Sequence, residues 1–388
     1  MTGAIVTTLS DGNSGLEAYV IVDTLVAGKA MGGVRMTPDV TPAELAGLAR
    51  QMTRKLALAD LPIGGAKGGI VSDLPPGEER DGRLRAFGTR MAPLLKGGIY
   101  VGSDQGIGYR DRGLIFEAAG YEVAKSGDTA LLPCSWAELW ERCSQITGFG
   151  IAEAITAARP PGAPASTAAV QGFGTVGRAA AVHLHARGHR VVAVSDRLGV
   201  ISHPAGLPLP DLVAATDPTG VIDRAALPPG LTTGADPDRL LDVPADILVL
   251  AARSHAVDER DVPRISARLI AEGANDPSTP AALAAFEARG TTVLPGIVAN
   301  AGGAIATGAV LTGHAQDAKD ADALADALHQ EVRDRIRAAH AAVSDRAAAD
   351  GLSLPRAAAR VSAERVAARE GAAREGAARE GAAAVPSP

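Results

Sequence analysis

A glycine-rich motif in the middle of the chain constrains the fold more than any other feature. Its residues are Gly172, Phe173, Gly174, Thr175, Val176 and Gly177. An apolar run at residues 167–171 precedes the motif, and a run typical of a helix follows at 178–187. The next apolar run, at 190–195, ends beside Asp196. This order of strand, glycine turn, helix, strand and acid predicts a dinucleotide-binding unit of the Rossmann type.

Each position of the motif has a physical role in holding a dinucleotide. Gly172 makes the tight turn, Gly174 lets the pyrophosphate approach the backbone, and Gly177 allows the helix to pack closely on the strand. The N-terminus of the helix offers unpaired N–H groups to the phosphates. Asp196 is expected to accept hydrogen bonds from the adenosine ribose, which favours NAD, whereas Arg197 after it leaves NADP open.

The remaining runs extend the same pattern in both directions. Apolar runs at residues 247–250, 269–271 and 292–294 predict further parallel strands, and so a doubly wound parallel sheet. Before the motif, runs at 18–22, 69–71 and 99–101 alternate with helical stretches, which is typical of a separate α/β domain. We therefore expect an α/β protein with a substrate domain at residues 1–148, a Rossmann domain at 149–303, C-terminal helices at 304–365 that pack back on the first domain, and a low-complexity tail at 366–388, partly helical at most.

Composition excludes several classes of function. The net charge of −6 argues against a nucleic-acid partner. No apolar run approaches the length that spans a bilayer, and the first ten residues lack the features of a signal peptide, so a cytoplasmic protein is expected. The two cysteines, Cys134 and Cys143, fit neither a zinc-ligand nor a disulfide pattern, and no metal site is predicted.

A second glycine-rich segment carries the chemistry-bearing side chains. Lys67 lies between Gly64-Gly65-Ala66 and Gly68-Gly69, where the absence of side chains lets a ligand approach closely. Lost hydration in such a setting disfavours the ammonium form and suits the lysine to act as acid or base. Lys55, on a predicted helix at residues 42–59, would supply a second cation for the same small anion. The alternative is a flexible turn with a solvated lysine at its tip.

These motifs, in their order, resemble the glutamate/leucine/phenylalanine/valine dehydrogenase family of amino acid dehydrogenases. The likeness covers residues from about 32 to about 303. The segments that carry it, besides the glycine motif, are Gly32-Gly33-Val34-Arg35-Met36, Met52-Thr53-Arg54-Lys55, Gly64 to Gly69, Asp104, Thr147-Gly148-Phe149-Gly150, Glu272-Gly273-Ala274-Asn275-Asp276-Pro277 and Asn300-Ala301-Gly302-Gly303.

The resemblance implies an NAD-linked oxidoreductase that deaminates an L-amino acid to its 2-oxo acid and ammonia, with the active site in a cleft between the two domains. It assigns Lys55 to the substrate α-carboxylate, Lys67 to catalysis, and Asp104 to proton transfer on the substrate nitrogen. Thr147 would lie near the nicotinamide amide and Asn300 near both substrate and nicotinamide. We add Ala251, which follows the predicted strand at 247–250, and Asn275 to the cofactor-binding residues. A homo-oligomer is also implied.

The substrate side chain is expected to meet Met31, Gly32 and Thr307. Glutamate-specific members of the family carry a lysine just before the Gly-Gly pair, and here that place is Met31. An unpaired buried carboxylate would be costly beside a thioether, so we expect an apolar L-amino acid such as leucine, valine or phenylalanine. Thr307 stands where glutamate enzymes hold a serine.

Two alternatives stay open. The first is a glutamate dehydrogenase that meets the side-chain carboxylate with another cation, Arg35 or Arg54. The second is a regulatory relative that binds a nucleotide and has lost catalysis. Retention of Lys55, Lys67 and Asp104 together argues against the second alternative, because a protein without catalysis has no need of a desolvated lysine.

Overall fold

The chain folds into two units. The computed structural model describes residues 4–122, 132–314 and 317–383, the end of the last helix by its backbone alone. The first unit holds the described parts of Met1–Arg142, Thr307–Leu328 and Ser362–Pro388, and the second holds Cys143–Ala306 and His329–Val361. Among the described residues, no helix has the length and apolar composition needed to cross a membrane.

The first unit is built on a five-stranded mixed sheet. Its strands are β1 (Ile5–Asp11), β2 (Leu16–Val22), β3 (Ala30–Thr37), β4 (Gly64–Val71) and β5 (Ile99–Ser103), in the order β1-β2-β4-β3-β5. Strand β3 runs parallel to β4 and β5, whereas β2 runs antiparallel to β1 and β4. The helices of this part are α1 (Pro42–Leu58), α2 (Glu78–Lys96), α3 (Tyr109–Ala119) and α4 (Trp136–Arg142).

The glycine-rich segment around Lys67 is a strand and not a turn. Only residues 69–71 were expected to be extended, but β4 begins at Gly64, and Lys67 pairs with Ile21 of β2. The glycines serve packing: a Cβ on Gly65 would lie 2.2 Å from the backbone nitrogen of Thr53 on α1. Helix α1 can therefore rest directly on the strand, a close approach that only glycine permits.

Helix α1 is fixed at both ends of its buried face. Its N-cap is Thr41, whose side chain accepts a hydrogen bond from Glu44 N. Leu45 and Ala49 join a buried cluster with Ile21 of β2. Near the other end, the Thr53 hydroxyl donates to Asp23 Oδ2 at 2.6 Å.

The second unit contains a seven-stranded sheet in the order β12-β11-β10-β6-β7-β8-β9. Its strands are β6 (Thr167–Gln171), β7 (Arg190–Asp196), β8 (Gly199–Ser202), β9 (Thr232–Gly234), β10 (Ile247–Leu250), β11 (Leu269–Glu272) and β12 (Thr292–Leu294). The five strands from β12 to β7 are mutually parallel. The expected two-domain α/β fold with a parallel sheet is thus confirmed. Strands β8 and β9, which the sequence pattern did not predict, extend the sheet antiparallel.

Five helices accompany this sheet: α5 (Ile146–Ala157), α6 (Thr175–Ala186), α7 (Leu209–Ala214), α8 (Pro280–Ala288) and α9 (Gly296–Ala299). The core between sheet and helices is mostly aliphatic. Leu248 and Ile270 are buried there together with the aromatic Phe286. Helix α6 starts inside the glycine motif at Thr175, so the motif forms the connection from β6 into the helix.

The C-terminal helices are α10 (Gly302–Leu311), α11 (Ala321–Asp350) and α12 (Leu354–Ala383). The structure divides them between the units, whereas we expected residues 304–365 to belong with the first. Ion pairs explain the difference for α11, because Arg333 and Arg337 both pair with the buried carboxylate of Glu153 on α5. Helix α12 continues through the repeats at 366–383, where we expected partial helix at most.

Candidate active site

Lys67 and Asp104 form a close ion pair. Lys67 stands on β4, and Asp104 directly follows β5. The Lys67 Nζ lies 2.5 Å from Asp104 Oδ2, with the lysine side chain 6% exposed and the aspartate 19% exposed. The pair is therefore mostly shielded from solvent, yet the carboxylate keeps a face that a small molecule can reach.

A second cation acts on the same carboxylate. The Nε of Arg35, on β3, lies 3.6 Å from Asp104 Oδ2. Burial by itself would raise the pKa of Asp104, but Lys67 and then Arg35 outweigh it and hold that pKa below its usual value. Asp104 is therefore a carboxylate at neutral pH, able to accept hydrogen bonds from an ammonium group placed against it.

Lys55 is placed by the packing of α1. It lies in the last turn of the helix and is buried, two residues beyond the Thr53–Asp23 hydrogen bond. Because α1 rests on β4 at Gly65, the helix that carries Lys55 packs on the strand that carries Lys67. Both lysines thus belong to one packed pair of elements, as expected for two cations that serve one anion.

The residues expected at the substrate side chain form an apolar wall. Met31 is buried on β3, in register with Gly65 and Tyr100. A Cβ on Gly32 would lie 1.7 Å from the Ala66 carbonyl oxygen, so only glycine fits there. A Cβ on Gly308 would lie 3.5 Å from Met31 Sδ, which places α10 against this wall, and Thr307, the preceding residue, is buried.

Neither arginine suggested for a side-chain carboxylate is placed for that role. Arg35 is engaged by Glu44 of α1 and by Asp104. Arg54 is exposed on α1, next to the buried Lys55. Arg35 thus lies between the carboxylates of Glu44 and Asp104.

The glycine motif fits a dinucleotide. Gly172 has a φ of +88°, and a Cβ on Gly177 would lie 1.9 Å from the Gly172 carbonyl oxygen, so both positions demand glycine. A Cβ on Gly174 would meet nothing within 4 Å, which leaves open space before the N-terminus of α6. Phosphates can therefore reach the first N–H groups of the helix, those of Thr175 and Val176. Phe173, in contrast, is buried in the core.

Two further cofactor candidates lie on neighbouring strand ends. Ala251 directly follows β10, and its Cβ lies 3.3 Å from the position of a Cβ on Gly177. Asn275 is half-buried in the loop after β11. That loop is held by Asn300, whose Nδ2 donates to the Ala274 carbonyl oxygen at 2.9 Å.

Thr147, expected near the nicotinamide, lies on α5 against Gly303 of α10. A Cβ on Gly303 would lie 2.9 Å from Thr147 Oγ1.

Asp196, the acid expected on the adenosine ribose, is engaged by other groups of this chain. Arg224 binds both of its carboxylate oxygens, and the N–H groups of Leu198 and Ile222 donate to them at 2.9 and 2.8 Å. Burial alone would raise the pKa of Asp196, but these donors hold it below the usual value. The side chain is 2% exposed. No local sequence signal indicated this, because Arg224 lies in a loop beyond two intervening elements.

Glu272 is a buried acid to which the sequence analysis assigned no role, although it begins the motif at residues 272–277. It ends β11 and is buried, and its Oε2 accepts a hydrogen bond from Gly296 N at 3.0 Å. Gly296 begins α9, which ends beside Asn300. Burial raises the pKa of Glu272 to about 7, with the negative charge of Asp276 adding to the shift. Glu272 thus holds α9 against the β11 loop as a carboxyl group that is partly protonated at neutral pH.

Family models match both parts of the chain. The model described as Glutamate/Leucine/Phenylalanine/Valine dehydrogenase covers residues 142–373, and that described as Glu/Leu/Phe/Val dehydrogenase, dimerisation domain, covers residues 4–117. The chain belongs to the glutamate/leucine/phenylalanine/valine dehydrogenase family. It is therefore an NAD(P)-dependent amino acid dehydrogenase, an oxidoreductase acting on a CH–NH₂ group, and the resemblance stated from its motifs is confirmed.

Characterised relatives within the family are similar over most of the chain. The NADP(+)-dependent glutamate dehydrogenase of Pyrobaculum calidifontis is 33% identical over 299 residues, which are 74% of this chain and 70% of the relative. The glutamate dehydrogenase of Aeropyrum pernix is 34% identical over 291 residues, 72% of this chain and 67% of the relative. The hetero-hexameric glutamate dehydrogenase of Thermus thermophilus matches with a TM-score of 0.77 at 28% identity, covering 95% of this chain and 89% of that one.

The expectation of an apolar substrate is wrong, and so is the closer likeness to the leucine, valine and phenylalanine members. The similar curated relatives are glutamate dehydrogenases. The L-tryptophan dehydrogenase of Nostoc punctiforme, at 22% identity and a TM-score of 0.64 over 95% of this chain and 97% of its own, shows a shared fold alone. The error came from inferring the substrate from Met31 alone.

Glu272→Gln is expected to stabilise this family member in a pH-dependent way. The folded-state pKa of about 7 exceeds the ordinary pKa of 4.5 of a glutamate side chain, so the native chain holds a proton that the unfolded chain releases between those values. Wild-type stability therefore falls as pH rises through this window, by up to about 3 kcal/mol, and the uncharged glutamine avoids that loss.

Thermal unfolding from pH 4.5 to pH 8.5 checks this expectation. The melting temperature of Glu272→Gln should match wild type at the acid end and exceed it at the alkaline end. The exposed Glu259→Gln serves as control and should track wild type throughout. A difference between Glu272→Gln and wild type that stays constant with pH would contradict the assignment.

Proposed function

We propose that this chain is a glutamate dehydrogenase that converts L-glutamate to 2-oxoglutarate and ammonia. The choice of glutamate rests on the curated relatives, which are glutamate dehydrogenases at 33–34% identity over most of the chain. The chemistry rests on one geometric observation, the 2.5 Å contact between the Lys67 amine and the Asp104 carboxylate. When bound, the nicotinamide accepts a hydride from the substrate Cα.

The two buried lysines bind and orient the amino acid. Lys55 pairs with the α-carboxylate, a contact that gains strength because the lysine is shielded from water. Lys67, on the strand that α1 packs against, adds a second positive charge near the reacting carbon. Two cations around one carboxylate hold the substrate Cα at a single position. The substrate thus loses translational and rotational freedom on binding, before the reaction begins.

Asp104 and Lys67 divide the proton transfers. Asp104 accepts a proton from the substrate ammonium group, because only the neutral amine can form a C=N bond as Cα is oxidised. Water then adds to the imino carbon, and Lys67, in its neutral amine form after releasing its own proton to solvent, takes the proton that this water loses. Asp104 returns a proton to the nitrogen, which leaves as ammonia, while the carbinol hydroxyl gives its proton to water and becomes the 2-oxo group. The short Lys67–Asp104 contact lets protons pass between the two groups between steps.

Met31 and Thr307 serve the substrate side chain in this proposal. Met31 covers the methylene groups of glutamate with a soft apolar surface. The Thr307 hydroxyl donates a hydrogen bond to the distal carboxylate, as the serine in this place would in glutamate enzymes. Both residues are buried, so a hydrogen bond to the carboxylate is made with little competition from water.

Assembly and location stay predictions. The Thermus thermophilus relative is a hetero-hexamer, and the model that matches residues 4–117 describes a dimerisation domain. We propose that this chain forms a homo-oligomer, and we keep the cytoplasmic location expected from the sequence.

Reduction of NAD and NADP, followed by absorbance at alkaline pH across the twenty common amino acids, tests the proposal. Glutamate should give the highest kcat/KM with at least one coenzyme. A clear lead for leucine, valine, phenylalanine or tryptophan would contradict the choice of glutamate. Absence of turnover with every amino acid would favour the regulatory alternative.

Thr307→Val is expected to lower kcat/KM for glutamate by about tenfold or more, because the nearly isosteric side chain leaves the distal carboxylate without its donor. The melting temperature and coenzyme affinity should stay near wild type. Thr312→Val is a matched control, since that hydroxyl donates to the Gly308 carbonyl oxygen of the same helix. Unchanged kcat/KM in Thr307→Val, measured beside this control, would remove Thr307 from the substrate site.

A further inference from the structure

Asp196, the acid of the dinucleotide motif, forms an ion pair with an arginine of this chain. Arg224 approaches Asp196 end-on, with Nη2 2.6 Å from Oδ1 and Nη1 in contact with Oδ2. The same guanidinium also donates to the Ile222 carbonyl oxygen at 2.7 Å. Such a two-bond pair is the strongest arrangement open to a carboxylate and an arginine.

The pair closes a loop onto the glycine turn. Residues Thr216 and Ile222 form an isolated antiparallel bridge, and the turn between them contains Gly220 with a φ of +86°. A Cβ on Gly220 would lie 2.8 Å from the Gly174 Cα. The loop held by Arg224 therefore packs directly on the part of the motif where the pyrophosphate is expected, and it forms a wall of the coenzyme pocket.

Asp196 has no bonding capacity left for a ribose. An ionised carboxylate offers about four acceptor positions. Two are taken by Arg224 and two by the N–H groups of Leu198 and Ile222, and the side chain is 2% exposed. An unpaired acid at this position would bind the ribose hydroxyls and repel a 2′-phosphate. Here both effects are absent, because the oxygens are occupied and the charge is neutralised.

The other charges around the loop are accounted for. Arg197 is exposed next to Asp196, and it helps lower the pKa of Asp217. Asp217 is turned into its own loop, where Oδ1 accepts from the N–H groups of Thr219 and Val221. Asp223 caps a single 3₁₀ turn of this loop, Arg224–Ala226, because its side chain accepts a hydrogen bond from Ala225 N. Both acids are thus committed to loop backbone, and Arg197 remains beside the neutral Asp196–Arg224 pair.

We propose that Arg224 determines the coenzyme preference of this dehydrogenase: by occupying and neutralising Asp196, it lets the adenosine pocket accept the 2′-phosphate of NADP as well as the ribose of NAD. Arg224 is a specificity-determining residue that acts through Asp196. The proposal concerns coenzyme binding alone, so it stands or fails independently of whether glutamate is the substrate.

Calorimetric titration with 5′-AMP and with 2′,5′-ADP, which differ only by the 2′-phosphate, tests this without turnover. Wild type should bind 2′,5′-ADP at least as tightly as AMP. Arg224→Gln frees the carboxylate, so affinity for 2′,5′-ADP should fall about tenfold or more relative to AMP. Arg239→Gln, which removes an exposed arginine of the same unit, is the charge control and should leave the ratio of the two affinities unchanged.

Asp196→Asn separates the effect on specificity from damage to the loop. This variant leaves the Arg224 guanidinium without its acid, so affinity for 2′,5′-ADP relative to AMP should stay at or above that of wild type. The double variant Asp196→Asn/Arg224→Gln should regain tolerance of the 2′-phosphate that Arg224→Gln loses. Melting temperatures identify any variant that fails to fold. If the Arg224 variants do not fold, the affinities of wild type and Asp196→Asn for the two ligands test the proposal.

Three outcomes would overturn the proposal. The first is wild type that binds AMP but rejects 2′,5′-ADP. The second is a parallel loss of both ligands in a folded Arg224→Gln protein, which would make Arg224 merely structural. The third is an unchanged ratio of the two affinities in a folded Arg224→Gln protein, which would show that the paired arginine does not set the preference.

Discussion

The absence of side chains along β4 is the constraint on which the catalytic unit depends. Glycine at position 65 lets α1 approach to within a backbone contact, and the glycine at 32 on β3 lets the neighbouring strand close on Ala66. Lys67 is the one long side chain between Gly64 and Gly69, and its mostly buried amine meets Asp104 at 2.5 Å. A larger residue at 32 or 65 would push apart the elements that carry the substrate lysines.

Electrostatics around Asp104 then set its chemistry. Burial would favour the neutral acid, while Lys67 and Arg35 favour the carboxylate and prevail. The site therefore holds a base shielded from water and oriented by two cations, ready for a substrate that brings its own ammonium group. Glu272 in the other unit shows the opposite balance: burial, to which the negative charge of Asp276 adds, raises its pKa to about 7. Two buried acids thus differ in ionisation because cations outweigh burial at Asp104, whereas a neighbouring acid adds to the effect of burial at Glu272.

Much of the fold could be predicted because its signals are local. The glycine motif, its flanking strands and the apolar runs of β10 and β12 follow from spacing that neighbouring residues determine. The sequence missed what distant residues decide. The pairing of Asp196 with Arg224 runs through a loop that no motif marks. Only residues 69–71 of β4 were expected to be extended, because a glycine run is identified as a strand only once a helix packs on it. Met31 led to the wrong substrate class, because a single residue beside the substrate side chain does not determine which amino acid binds.

The central claim is that Lys67, held against Asp104, performs acid–base chemistry on the amino acid. Turnover and coenzyme binding of Lys67→Ala, measured on the same preparation beside the exposed Lys96→Ala, test it most directly. The account predicts that Lys67→Ala loses at least about 100-fold in kcat while its affinity for coenzyme, by calorimetry, stays near wild type. Lys96→Ala should match wild type in both. A folded Lys67→Ala protein that turns over its substrate like wild type would contradict the account.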